Sequence, residues 1–204
     1  MSALRFIPPA LPKTHAGPPR GERWLHEVKL DSYRVQAHKN GARVTLHSKN
    51  GIDFTRRFRV ITDAVARLPA VAAILDGEIV ALDDEGRPDF RRLHRGERAR
   101  LAFYAFDLLH LDGADVRAES LTDRKHLLGL QISSLGHPLV REVPGFDDGD
   151  RLLAEVERLK LEGVVSKLRH APYRSGPGCG WLKFKTQAWR ADSVDRWRLF
   201  QGSP

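Results

Sequence analysis

Lys29 is the residue from which the chemistry of this chain can be read. It sits in Trp24-Leu25-His26-Glu27-Val28-Lys29-Leu30-Asp31-Ser32-Tyr33-Arg34. A strand here places Glu27, Lys29 and Asp31 on one side and His26, Val28 and Leu30 on the other. A lysine amine is a nucleophile only after it has shed a proton, and its ordinary pKa of about 10.4 keeps it charged at neutral pH. Nearby cations press the proton off, whereas nearby carboxylates retain it. Taken alone, the pattern reads more readily as a charge ladder on a solvated edge strand.

Four later segments carry matching chemistry. In Ile74-Leu75-Asp76-Gly77-Glu78-Ile79-Val80, alternation brings Asp76 and Glu78 to one face, where they repel unless a cation or a sugar hydroxyl lies between them. Phe106 lies inside an apolar strand, where an aromatic ring is ordinarily packing. Glu162, in Glu162-Gly163-Val164-Val165-Ser166-Lys167, follows a helix whose negative end would not favour it, so a cation nearby is expected. Trp181-Leu182-Lys183-Phe184-Lys185 puts Trp181, Lys183 and Lys185 on one strand face.

The spacing Lys29-x-Asp31-x-x-Arg34, followed in order by Ser48-Lys49-Asn50-Gly51, Asp76-Gly77-Glu78, Phe106-Asp107-Leu108, Glu162-Gly163-Val164-Val165 and Lys183-x-Lys185, resembles the covalent nucleotidyltransferases. That family comprises ATP-dependent DNA ligases, RNA ligases and mRNA capping enzymes. The resemblance runs from about Arg23 to Thr186 and is greatest to the adenylation domain of bacterial end-joining ligases. Tyr104-Ala105-Phe106-Asp107-Leu108-Leu109 and Tyr173-Arg174-Ser175-Gly176 favour DNA ligase over capping enzyme.

The resemblance implies an α+β, ATP-grasp-like nucleotidyltransferase fold of two mostly antiparallel sheets flanked by helices. It makes Lys29 the nucleophile on the α-phosphate of ATP and Asp31 a supporting residue. Glu27, Arg34, Glu78, Phe106, Lys183 and Lys185 become nucleotide contacts, with Phe106 stacked on adenine. Glu162 and Glu78 become ligands of Mg²⁺ or Mn²⁺. The expected substrate is nicked or broken double-stranded DNA, gripped by Lys49 and by Arg91, Arg92 and Arg95 of the densest basic stretch. Ser32 departs from the glycine usual in the family. About twenty residues follow Lys185, too few for the OB-fold barrel that such ligases carry, so an OB-fold or end-joining partner in trans is expected. A weak or inactive nick-binding module and an RNA ligase are the competing readings.

Composition agrees with a polyanionic partner. The chain has 204 residues, a net charge of +8 and a pI near 10.0. A single cysteine, Cys179, excludes an intrachain disulfide and suits a reducing compartment. The nine histidines show no zinc spacing, and no stretch is apolar enough for a membrane span or a signal core, which places the protein in the cytoplasm without a membrane partner.

The elements that must position these groups follow from periodicity. Residues 1–22 are expected to form an extended Pro-rich leader and 189–204 a basic tail, while 23–188 is the stretch that the resemblance implies to be an adenylation domain. Strands are expected over Tyr33–His38 and Val44–Ser48, joined by a Lys39-Asn40-Gly41-Ala42 turn, and over Leu101–Leu109 and Pro138–Val143. Helices are expected over Thr55–Leu68, Leu121–Leu130 with Thr122 as cap, and Asp150–Leu161 with Gly163 as terminator. A further short helix follows Asp89. Arg56, Arg57 and Arg59 fall on a basic face of the first helix, either solvated or set against a nucleic acid backbone.

Overall fold

The computed structural model describes residues 4–30, 32–84, 86, 100–187 and 189. Asp31, Arg91, Arg92 and Arg95 lie outside the described residues, as does the helix expected after Asp89. In chain order the strands are β1 (Lys13–Thr14), β2 (Trp24–Lys29), β3 (Tyr33–Asn40), β4 (Arg43–Ser48), β5 (Ala72–Leu82), β6 (Arg100–Leu111), β7 (Ala114–Asp115), β8 (Val140–Glu142), β9 (Gly163–Leu168) and β10 (Leu182–Lys185). The helices are α1 (Arg59–Val65), α2 (Leu121–Leu135) and α3 (Gly149–Arg158).

Two sheets form, as expected of the α+β fold that the resemblance implies. One has the order β1-β10-β9-β2; the other runs β4-β3-β5-β6-β7, with β8 added to β6. Every pairing is antiparallel except β1 with β10 and β6 with β8. The β3–β4 hairpin turns through Gly41, whose φ of +59° is a left-handed conformation open to glycine at little cost.

Alternation along the strands decides what each face meets. Val35, Leu46, Leu75, Ile79, Phe103 and Leu108 are buried with Phe58, Ile61 and Val65 from the α1 region and Leu128 from α2. On the other side Phe106 and Leu109 join Ile7, Ala10, Val143, Tyr173, Cys179 and Trp181 in a second core. Leu152 and Val156 of α3 close over Val164 of β9. Arg124 of α2 and Asp107 of β6, both fully buried, pair through two hydrogen bonds of 2.7 and 2.9 Å and lock helix to sheet. Buried in this way, the pair fixes registration more than it adds stability.

Several boundaries differ from the periodicity. The first helix holds only Arg59–Val65, because Thr55 Oγ1 accepts from the Leu46 amide and Asp53 accepts from the Thr55 amide, which ties residues 53–55 to β4 in turns. Ser120, not Thr122, caps α2, accepting from the Asp123 amide; the Thr122 hydroxyl donates to the Arg169 carbonyl instead. α3 stops at Arg158 and the chain reverses at Lys160, with φ +55°, rather than at Gly163. Glu162 therefore sits beyond the last helical turn, clear of the helix dipole.

The leader is woven into both sheets. Ile7 exchanges hydrogen bonds with the Gln36 side chain on β3, while β1 pairs with β10.

Candidate active site

Glu162 is the centre of the site, and three neighbouring strands explain why. In the sheet register Gly163 of β9 lies opposite Lys29 of β2 on one side and Lys185 of β10 on the other. A residue one step before Gly163 can thus reach both lysines. Lys29 Nζ is 2.8 Å from Glu162 Oε2, and Lys185 Nζ is 3.0 Å from Glu162 Oε1. The close approach needs glycine at 163, since a Cβ there would fall 1.9 Å from the Phe184 carbonyl oxygen. The carboxylate is buried at 4 % exposure, so the two ammonium groups compensate a charge that would otherwise be costly to hold there. The cation expected beside Glu162 is accordingly present as Lys29 and Lys185.

Lys29 faces a cleft of about 210 Å³ lined by Glu27, Arg34, Lys49, Glu78, Phe106, Lys167, Trp181 and Lys183, among others. All the described residues singled out from the sequence as nucleotide contacts, except Lys185, line it directly; Lys185 joins through Glu162. Lys183 has its ammonium pKa lowered, first by burial and then by the positive charges of Lys29 and Lys185. Glu78 is pushed up to about 7, chiefly by burial and further by Glu162, against the pull of Lys29, Ser32 and Arg34. The Ser32 hydroxyl donates to Glu78 Oε2 at 2.6 Å and so fixes the orientation of this carboxylate.

Glu27 lines the cleft with Lys29, and its oxygens lie 2.8 Å from Lys125 Nζ and 2.5 Å from Lys167 Nζ. One expectation needs correction. Asp76 does not share a cation site with Glu78. It is fully buried and takes the Arg34 guanidinium in two hydrogen bonds of 3.1 and 2.7 Å, plus the Tyr173 hydroxyl at 2.7 Å. Burial would lower the Arg34 pKa, but the Asp76 carboxylate more than reverses this and raises it. Arg34 also donates to the Ala10 carbonyl, which brings the leader to the cleft wall with Leu11 and Pro12.

Sequence reasoning missed Lys125 and Lys167. Lys167 Nζ lies 4.5 Å from the Phe106 ring centre and 4.2 Å from that of Trp181, and burial lowers its pKa. Its position at the fully buried end of an apolar strand was the available signal, since a lysine there must have a partner. Phe106 meets Trp181 edge to face at 5.9 Å, with Arg34 5.2 Å from its centre.

Glu162 and Glu78, the carboxylates expected to hold a divalent cation, differ in place: Glu78 lines the cleft, whereas Glu162 is held by Lys29 and Lys185. Among the described residues no cluster of three or more metal-ligating side chains occurs. Mg²⁺ commonly takes one or two carboxylates and completes its shell with water and substrate phosphates, so these two acids could hold it without a third.

A sequence model of the ATP-dependent DNA ligase domain matches residues 16–185, most of the chain and every site segment from Glu27 to Lys185. The chain belongs to that family. Its relatives include the multifunctional non-homologous end joining protein LigD of Pseudomonas aeruginosa PAO1, 36 % identical over 89 % of this chain and 22 % of its own length. A probable DNA ligase of Mycobacterium sp. strain KMS is 36 % identical over 79 % of this chain and 33 % of its own. The chain thus spans about a fifth to a third of these relatives. The solved mycobacterial DNA ligase D complexed with ATP and MES superposes with a TM-score of 0.76 at 29 % identity, covering 87 % of this chain and 59 % of that one. The ligase domain of Mycobacterium tuberculosis LigD gives 0.75 at 28 % identity, over 87 % and 58 %. Among the described residues no helix is long and apolar enough to cross a membrane.

Proposed function

We propose that this domain transfers adenylate from ATP to DNA ends through Lys29, as the first partner in a ligase reaction on nicked or broken duplex DNA. The observation that carries the reading is the meeting of Glu162 and Lys185 with Lys29, which lines one cleft with Lys183, Glu78 and Phe106.

The base would enter beside Phe106, with Trp181 and Val165 completing an apolar slot and Glu27, held by Lys125 and Lys167, at its polar end. Arg34 and Glu78 would meet the ribose. Lys183 and Lys185 would neutralise the α-phosphate oxygens, which is most of what phosphoryl-type transfer asks of a protein beyond alignment. Mg²⁺ or Mn²⁺ held by Glu162 and Glu78 would polarise the phosphate and draw negative charge away from Lys29.

In its ion pair with Glu162, Lys29 is held as an ammonium, so the contact must loosen before attack. Deprotonated Nζ then forms a bond to the α-phosphorus as the bond to the β-phosphate oxygen breaks and pyrophosphate leaves. The lysine-bound AMP passes to a DNA 5′-phosphate, restoring the amine. The 3′-hydroxyl then attacks that phosphate, expelling AMP and sealing the nick. An OB-fold domain, joined to the chain or supplied in trans, would orient the pyrophosphate. Lys49, at the cleft mouth, would contact the DNA backbone. The setting of this work would be the cytoplasm.

Incubation with labelled ATP and Mg²⁺ should give a covalent adduct that Lys29→Ala abolishes. Absence of adduct with an OB-fold partner present, together with nick affinity that survives Lys29→Ala, would instead make the domain a binding module. ATP against GTP, and DNA against RNA nicks, separates DNA ligase from RNA ligase or capping chemistry.

A further inference from the structure

The cleft leaves the basic residues before α1 without a role, and one of them is held in an unusual way. The Arg57 guanidinium carbon lies 4.5 Å from the Tyr33 ring centre, 5.2 Å from Phe58 and 5.4 Å from Phe54. Its Nη2 donates to the Tyr33 hydroxyl at 3.1 Å. The rings brace one another at centre distances of 5.7 to 6.0 Å. Among the described residues Arg57 makes its hydrogen bond to a phenol hydroxyl and none to a carboxylate, so most of its N–H groups remain open to an incoming acceptor.

Packing alone would explain a cation on an aromatic cluster; place in the fold argues for more. Ser48 pairs with Val35, so Lys49, which lines the cleft, and Tyr33 leave the same end of the six-stranded sheet. Arg56, Arg57 and Arg59 are exposed there, beside Ile52 at 60 % and Val60 at 47 % exposure. A positive strip broken by apolar contacts next to the reactive mouth suits a polyanion with ribose and base edges. A guanidinium already flattened on aromatic rings loses little rotamer freedom on gripping a phosphate.

We propose that Arg57, braced on Tyr33, Phe54 and Phe58, is a phosphate grip that extends the DNA track from Lys49 along the flank of the domain. This rests on the ligase reading only for the identity of the polyanion. The test measures nicked-duplex affinity of the full chain across a salt series, for wild type, Arg57→Gln, Arg57→Met and Arg57→Lys, alongside adduct formation from ATP. Arg57→Met keeps an apolar chain on the rings and guards against unfolding, which melting temperature monitors.

Loss of one phosphate contact should flatten the plot of log affinity against log salt by about 0.9 and weaken binding roughly fivefold at about 0.15 M salt. Arg57→Lys should retain the slope, and adduct yield should not change. Unaltered affinity and slope in folded Arg57→Met overturn the proposal. A changed slope in a chain that forms no adduct upholds the grip and removes the catalytic reading instead.

Discussion

Glu78→Gln should make the protein more stable and less active, and the gain should depend on pH. The Glu78 carboxyl is raised from 4.5 to about 7, mainly by burial. A raised acid favours the folded state fully below the unfolded pKa of 4.5, and this advantage is lost as pH climbs through about 7. At about 1.4 kcal/mol per pH unit, the wild-type protein forfeits about 3 kcal/mol across that window. Glutamine keeps the shape and can still accept from Ser32 but carries no charge to bury. The two proteins should therefore melt together near pH 4.5, with the variant ahead by roughly 6–10 °C at pH 8 in metal-free buffer. Scanning calorimetry of both proteins across the range is the assay. A melting difference that does not change with pH would refute the claim that a charged Glu78 is held at a cost, and adduct formation should fall in the variant as the site loses that charge.

Other perturbations read the supporting structure. Tyr173→Phe removes the hydroxyl that donates to Asp76 at 2.7 Å and accepts from the Ala10 amide at 3.0 Å, and should cost about 1–3 kcal/mol in urea unfolding. Gly163→Ala puts a Cβ 1.9 Å from the Phe184 carbonyl, so β10 must move and carry Lys185 from Glu162. Stability should fall by about 1–3 kcal/mol and adduct formation by more than about tenfold, whereas Gly17→Ala, with nothing near its Cβ, should alter neither.

Much of this architecture could be read along the chain, because strand alternation states which side chains share a face. Lys29 with Glu27, Lys183 with Trp181, and Asp76 with Glu78 each follow from a period of two, and the order of the motifs supplied the family. What alternation cannot state is the partner on another strand. Alternation puts Glu27 on the Lys29 face, but the cations that take its carboxylate, Lys125 and Lys167, lie far along the chain. Asp76 looked like a cation ligand until β3 placed Arg34 diagonally across from it. The leader, whose prolines suggested an extended surface segment, contributes Leu11 and Pro12 to the cleft wall because Arg34 and Tyr173 need the Ala10 backbone. Helix ends shifted for a local reason of the same kind: Thr55 and Ser120 spend their hydroxyls on specific amides that composition alone does not distinguish.

The central claim is that Lys29, rather than any other cleft lysine, takes the nucleotide. Proteolytic digestion and peptide mass mapping after incubation with ATP and Mg²⁺ test it most directly. The account predicts one AMP, on the peptide containing Lys29, in an acid-labile phosphoramidate linkage. AMP found on Lys167, Lys183 or Lys185 while Lys29 stays unmodified would contradict it.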